Sequence, residues 1–130
     1  MNRMGPILAV AALVPTLALA GGDALLSQYG SQGAGPFDAG RGERAWRREM
    51  PATEGSTRSC TSCHGSDLTT LGKHARTGKA IKPMAPGSEP TRLTDPKKIE
   101  KWFLRNCKWT WGRTCTPQEK GDFIAYLNTL

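Results

Sequence analysis

Five consecutive residues, Cys60-Thr61-Ser62-Cys63-His64, constrain this chain more than any other stretch. The C-x-x-C-H spacing is that of a covalent c-type haem attachment site. Two thiols so spaced reach the vinyl groups on one porphyrin edge, and His64 then lies under the ring as the proximal iron ligand. The rest of the chain is therefore expected to pack on a haem c, ligate it or cover it.

Cys107 and Cys115 remain, and an oxidising compartment favours pairing them. Zinc is the competing account, but the seven-residue gap between Cys107 and Cys115 is wide for a zinc knuckle and leaves His64 without a role. A thioredoxin-like dithiol would require a βαβ pattern, which is missing around the motif.

Arg3, an apolar run from Ile7 to Leu19 and Ala18-Leu19-Ala20 form a secretory leader with an A-x-A cleavage signal. The run is too short for a membrane span. Residues 1–20 are thus expected to be a signal peptide and residues 21–130 one periplasmic domain. The formal charge of +7 becomes +6 without Arg3. That balance fits either a solvated surface or docking to an acidic partner protein, and nucleic acid is not an expected partner for an exported chain. With 38% hydrophobic residues, 15 glycines and 9 prolines, much of the chain should be irregular and the core small. Domains of this size gain apolar bulk from a cofactor or a disulfide.

The helix signals are local. Residues 24–29 can form a short helix capped by Asp23. Asp38 can cap a second, ended by Pro51, with a buried stripe of Gly42, Ala45, Trp46 and Met50. Glycine inside a helix is costly, so Gly42 predicts a close backbone approach. Residues 51–59 and 65–90 read as loops, the latter punctuated by Gly72, Gly78, Pro83, Pro86, Gly87 and Pro90. Asp95-Pro96 starts a helix with Ile99, Trp102 and Phe103 on one face, expected to end close to Asn106-Cys107. Residues 107–115 then form a basic, aromatic loop. Thr116 to Glu119 is a capping box opening a last helix that bears Phe123, Ile124, Tyr126, Leu127 and Leu130. No strand signal stands out, so the expected class is all-α.

This order resembles the class I cytochrome c fold, in which a glycine and an aromatic four residues later pack across an aromatic-bearing C-terminal helix. Gly42 with Trp46, and Phe123 with Tyr126, match that pattern. Over residues 38–130 the chain is similar to the sphaeroides haem protein and cytochrome c″ family. The shared anchors include Ser59 to Gly65, Arg76-Thr77-Gly78-Lys79, Pro83-Met84-Ala85-Pro86, Lys101-Trp102, Arg105-Asn106-Cys107, Gly112-Arg113 and Cys115-Thr116-Pro117. Met84 and Lys108 depart from the pattern. The resemblance implies a Cys107–Cys115 disulfide and a sixth iron ligand just before Cys107, here Asn106. It also implies a dihaem cytochrome c and a membrane cytochrome b as electron donors.

The sixth ligand decides the function. An asparagine amide oxygen is a hard, weak donor that ferric iron accepts more readily than ferrous iron. Reduction would then free a site for O2, NO or CO. Met84 is the alternative: a thioether ligand would make a plain electron carrier ligated by His64 and Met84. His74 lies in a polar loop and is expected to be exposed. Reduction of peroxide or nitrogen oxides at an open iron is a third reading, with Arg105 and Arg113 the only candidates to assist it.

Overall fold

The computed structural model describes residues 20–130, so the expected leader up to Leu19 lies outside the described residues. Helix α1 (Gly21–Ser31) starts before Asp23, which sits in its first turn and does not cap it. It is held at its start by the chain ahead of the fourth helix. The Gly22 amide donates to the Leu93 carbonyl at 2.7 Å, and a methyl group on Gly21 would lie 2.8 Å from the Asp95 nitrogen. Leu25 and Tyr29 are buried against Ile124.

Asp38 caps α2 (Ala39–Arg47) by accepting from the Arg41 amide at 2.6 Å. The helix buries Gly42, Ala45 and Trp46 as the sequence predicts, but it stops at Arg47. Met50 belongs to a two-residue strand, β1 (Met50–Pro51), paired antiparallel with β2 (Thr57–Arg58). After α3 (Thr61–His64), a second ladder joins β3 (Gly72–Lys73) to β4 (Ala80–Ile81). The described chain is mainly helical, and these short ladders correct the all-α expectation. Two-residue pairings leave no period-2 pattern in a sequence.

Helix α4 (Pro96–Trp111) begins where expected, with the Asp95 carboxylate accepting from the Lys97 amide at 3.0 Å. Its end does not match the expectation. The helix runs past Asn106-Cys107 to Trp111, and the stop comes at Gly112, whose φ of 70° forms a left-handed C-cap. Lys108 to Trp111 contains neither glycine nor proline, so nothing breaks the helix earlier. Helix α5 (Pro117–Leu127) opens on the expected capping box: Thr116 Oγ1 accepts from the Glu119 amide at 3.2 Å and the Glu119 carboxylate from the Thr116 amide at 2.9 Å. Leu130 lies beyond the helix and is exposed.

The α2–α5 crossing is the centre of the fold. A methyl group at Gly42 would run into the Asp122 carbonyl and approach Tyr126 Cβ to 2.8 Å. Beside this contact Trp46, Phe123, Tyr126, Leu127, Trp111 and Leu68 form the main core. The buried Asp122 carboxylate ties the crossing together, accepting from the Asp38 amide at 2.8 Å, from Arg41 Nε at 2.9 Å and from Gln118 Nε2 at 3.1 Å.

Candidate haem site

The attachment motif is held from both sides. Cys60 precedes α3, which carries Cys63 and His64. A methyl on Gly72 would overlap the Cys63 carbonyl and lie 3.0 Å from His64 Cα, so β3 presses directly on the motif. Cys63 Sγ accepts from the Ala75 amide at 3.3 Å. The Cys60 and Cys63 thiols are not joined to each other or to any other cysteine. Burial pushes the Cys60 thiol up to about 12, so at neutral pH it remains an uncharged thiol.

His64 packs against the Trp46 ring at 5.3 Å. Its Nδ1 is buried and has no hydrogen-bond partner, which leaves Nε2 as the nitrogen on the accessible side. Burial, and then the positive charge of Arg92, lower its pKa to about 4. The ring is neutral, the form that ligates a metal. Arg92 is half-buried and braces the Pro-rich loop, donating from Nε to the Pro83 carbonyl at 2.7 Å and from Nη2 to the Lys82 carbonyl at 2.6 Å. The sequence gives no sign of this, because one arginine in a loop looks like any solvated cation.

Asn106 lies within α4, five residues before its end, so it is not a helix cap. At about 100° per residue, Trp102, Asn106 and Trp109 fall on one side of the helix. All three are exposed there, Trp102 at 44% and Trp109 at 38%. The next residue, Cys107, is bonded to Cys115, with the two Cα atoms 5.7 Å apart. That bond takes two of the four thiolates the zinc account requires. Trp109 and Trp111, both assigned to a loop by the sequence, have different environments. Trp111 is buried against Phe123 at 5.6 Å, with Arg48 and Arg113 on its ring. Trp109 lies under the Arg58 guanidinium at 4.4 Å.

The remaining candidates are also placed. Met84 is half-buried, packs on the core containing Trp46 and Leu68, and donates its amide to the Leu68 carbonyl at 3.0 Å. His74 is half-buried and structural: Nδ1 accepts from the Arg76 and Thr77 amides, each at 3.2 Å. Arg113 is bound to Glu119 by two contacts at 2.9 and 2.8 Å.

Two unpaired thiols at C-x-x-C spacing and a neutral histidine beside them with an orphaned inward nitrogen fit a covalently attached porphyrin. These features define a c-type cytochrome. Residues 32–127 match a family model described as a domain of unknown function, DUF1924. The chain is 44% identical over 103 residues to cytochrome c-type protein SHP of Cereibacter sphaeroides, covering 79% of each chain. It is 39% identical over 88 residues to cytochrome c″ of Methylophilus methylotrophus, covering 68% of this chain and 61% of that one. Among solved structures, oxidised SHP, described as an oxygen-binding cytochrome c, superposes with a TM-score of 0.78 at 40% identity, covering 85% of this chain and 98% of SHP. Oxidised cytochrome c″ from M. methylotrophus superposes at 0.74 with 33% identity, covering 84% of this chain and 94% of its own. The chain belongs to the sphaeroides haem protein and cytochrome c″ family, and its cofactor is one covalently bound haem c.

Proposed function

We propose that this is a periplasmic monohaem cytochrome, of class I-like build, whose iron is ligated by His64 and Asn106 and opens on reduction to a diatomic ligand. The observation carrying this reading is Asn106 itself, exposed between Trp102 and Trp109 and tethered through Cys107 to Cys115. SHP is described as an oxygen-binding cytochrome c, which makes oxygen the first ligand to test. A solution structure of cytochrome c″, at 33% identity and a TM-score of 0.70, is described in terms of haem-ligand detachment.

A haem bound here supplies an iron that changes charge by one electron and has one face for an exchangeable ligand. The chain does the rest. Cys60 and Cys63 hold the porphyrin by thioethers. His64, kept neutral by burial and by Arg92, presents Nε2. Asn106 offers a neutral amide oxygen, suited to ferric and poorly suited to ferrous iron. Trp102 and Trp109 wall its face, and the disulfide limits how far that part of α4 can shift. Electrons arrive from partner cytochromes, for which the family resemblance suggests a dihaem cytochrome c and a membrane cytochrome b. Met84 supports a second reading, a closed carrier with His64 and Met84 ligation, because it packs on the same core as Trp46 and Cys60.

Ferric and ferrous absorption spectra of wild type, Asn106→Ala and Met84→Leu separate the two readings. The expected result is CO binding to the dithionite-reduced wild type, an altered ferric spectrum in Asn106→Ala, and an unaltered one in Met84→Leu. A reduced six-coordinate spectrum indifferent to CO would refute the proposal.

A further inference from the structure

The outer side of α4, away from Asn106, carries an unassigned feature. Lys97, Lys101, Leu104 and Lys108 follow at intervals of four, three and four, forming one exposed stripe. By helix geometry it is turned roughly 160° from Asn106 at Leu104. Among the described residues none of these lysines is paired with a carboxylate, and Leu104 at their centre is 50% exposed.

Beside the stripe, between α4 and α5, is a hollow of about 270 Å³ lined by Glu100, Lys101, Phe103, Leu104, Cys115 and Lys120. Its one carboxylate is already neutralised: Glu100 accepts from Lys120 Nζ at 2.7 Å and from the buried Tyr29 hydroxyl. What remains is an apolar recess edged by uncompensated positive charge.

Phe103, in the wall of that recess, begins a chain of packed rings. It lies 6.0 Å from Phe123, Phe123 lies 5.9 Å from Trp46, and Trp46 lies 5.3 Å from His64. Electron tunnelling decays exponentially with distance and is best through closely packed matter. These rings make an unbroken packed route from the recess to the candidate proximal ligand, without any ring being oxidised.

We infer that the Lys97–Lys101–Leu104–Lys108 face and its recess dock an acidic one-electron donor protein, whose apolar contact residue enters beside Phe103. This rests on the haem-ligating role of His64. The donor loses one electron, the ferric iron gains it, and no bond forms or breaks in this chain. Electron entry would then use the side of α4 opposite to Asn106, leaving the ligand face unobstructed. Docked charge would set specificity and on-rate, and the recess the register.

The test titrates the isotope-labelled ferric holoprotein with flavodoxin, an acidic one-electron donor, and follows amide shifts and Kd. Shifts are expected in residues 97–108 and 114–120. A Lys97→Glu/Lys101→Glu/Lys108→Glu triple variant should weaken Kd about tenfold or more at low salt. The triple variant Lys73→Glu/Arg76→Glu/Lys79→Glu, on the loop beside Cys63, should leave Kd within about twofold. Phe103→Leu should slow reduction within the complex when flavodoxin is saturating, so that the rate reports the packed route and not occupancy. Shifts clustered at residues 60–79, equal loss in both triple variants, self-association of the chain through the same face, or binding there of anionic vesicles but not flavodoxin would each overturn the proposal. A pyridine haemochrome spectrum lacking thioether-bound haem would instead refute the haem reading, independently of where flavodoxin binds.

Discussion

Gly42→Ala sets two well-measured tendencies against each other. In a helix interior, alanine is favoured over glycine by about 1 kcal/mol, so propensity alone predicts a more stable protein. Packing at the α2–α5 crossing predicts the opposite. The new methyl would lie 2.6 Å from the Asp122 carbonyl carbon and 2.8 Å from Tyr126 Cβ, and closer still to the Asp122 carbonyl oxygen. Carbon contacts are comfortable at about 3.5–4.0 Å, so the helices would have to separate by roughly 1 Å. The obstacle is mostly backbone, which cannot rotate away. Separation would loosen Trp46 from Phe123 and Tyr126, at 5.9 and 6.4 Å, and with it the support of His64. Overpacking of this kind costs about 3 kcal/mol at the upper end of its usual range. Set against the propensity gain, the net is about 2 kcal/mol, or a Tm lowered by roughly 9 °C for a domain of this size. Thermal unfolding of the holoprotein followed by circular dichroism measures it. A Tm equal to or above wild type would refute the close-packing argument.

Replacing both Cys107 and Cys115 by serine should cost about 2–3 kcal/mol for a loop of this length, read from urea unfolding. Arg92→Gln should lower the haem reduction potential, because the guanidinium near His64 disfavours added positive charge; the expected shift is on the order of 1 kcal/mol, about 40 mV, by redox titration. For Asp122, burial raises the pKa, but donors from Arg41, the Asp38 amide and Gln118 outweigh it and hold the carboxyl below its ordinary value. A depressed folded pKa contributes stability that is present above the unfolded value and lost as pH falls through the folded one. Wild type should therefore lose stability below about pH 4, and Asp122→Asn should flatten that part of the profile.

Local signals were legible where the chemistry is local. Asp38, Asp95-Pro96 and the Thr116–Glu119 box mark three helix starts, since capping depends on a few adjacent residues. Gly42 also declared itself, because a glycine amid helix formers has few other reasons to be there. The end of α4 is not legible locally: a basic, aromatic run with a cysteine reads as a loop, and the decisive signal is the glycine at position 112. The two ladders leave no local signal because their pairing is set by the turns around the motif. Arg92 and the Trp111 burial depend on tertiary neighbours that no window of sequence contains. The candidate ligand set follows the same division, with Cys60, Cys63 and His64 apparent from their spacing. Asn106 acquires meaning only from the resemblance and from the exposed face on which α4 places it.

The unbroken course of α4 past Asn106 bears on kinetics. Its backbone amide and carbonyl are committed to the helix, and the neighbouring cysteine is bonded to Cys115. Under the proposed His64 and Asn106 ligation, departure of Asn106 from the iron would be a rotation about two side-chain torsions, with no segment to melt and refold. Such rotations take picoseconds to nanoseconds. The gate would add no lag of its own: ligand capture after reduction would follow the metal–oxygen bond lifetime and diffusion, and thickening the solvent would slow only the second.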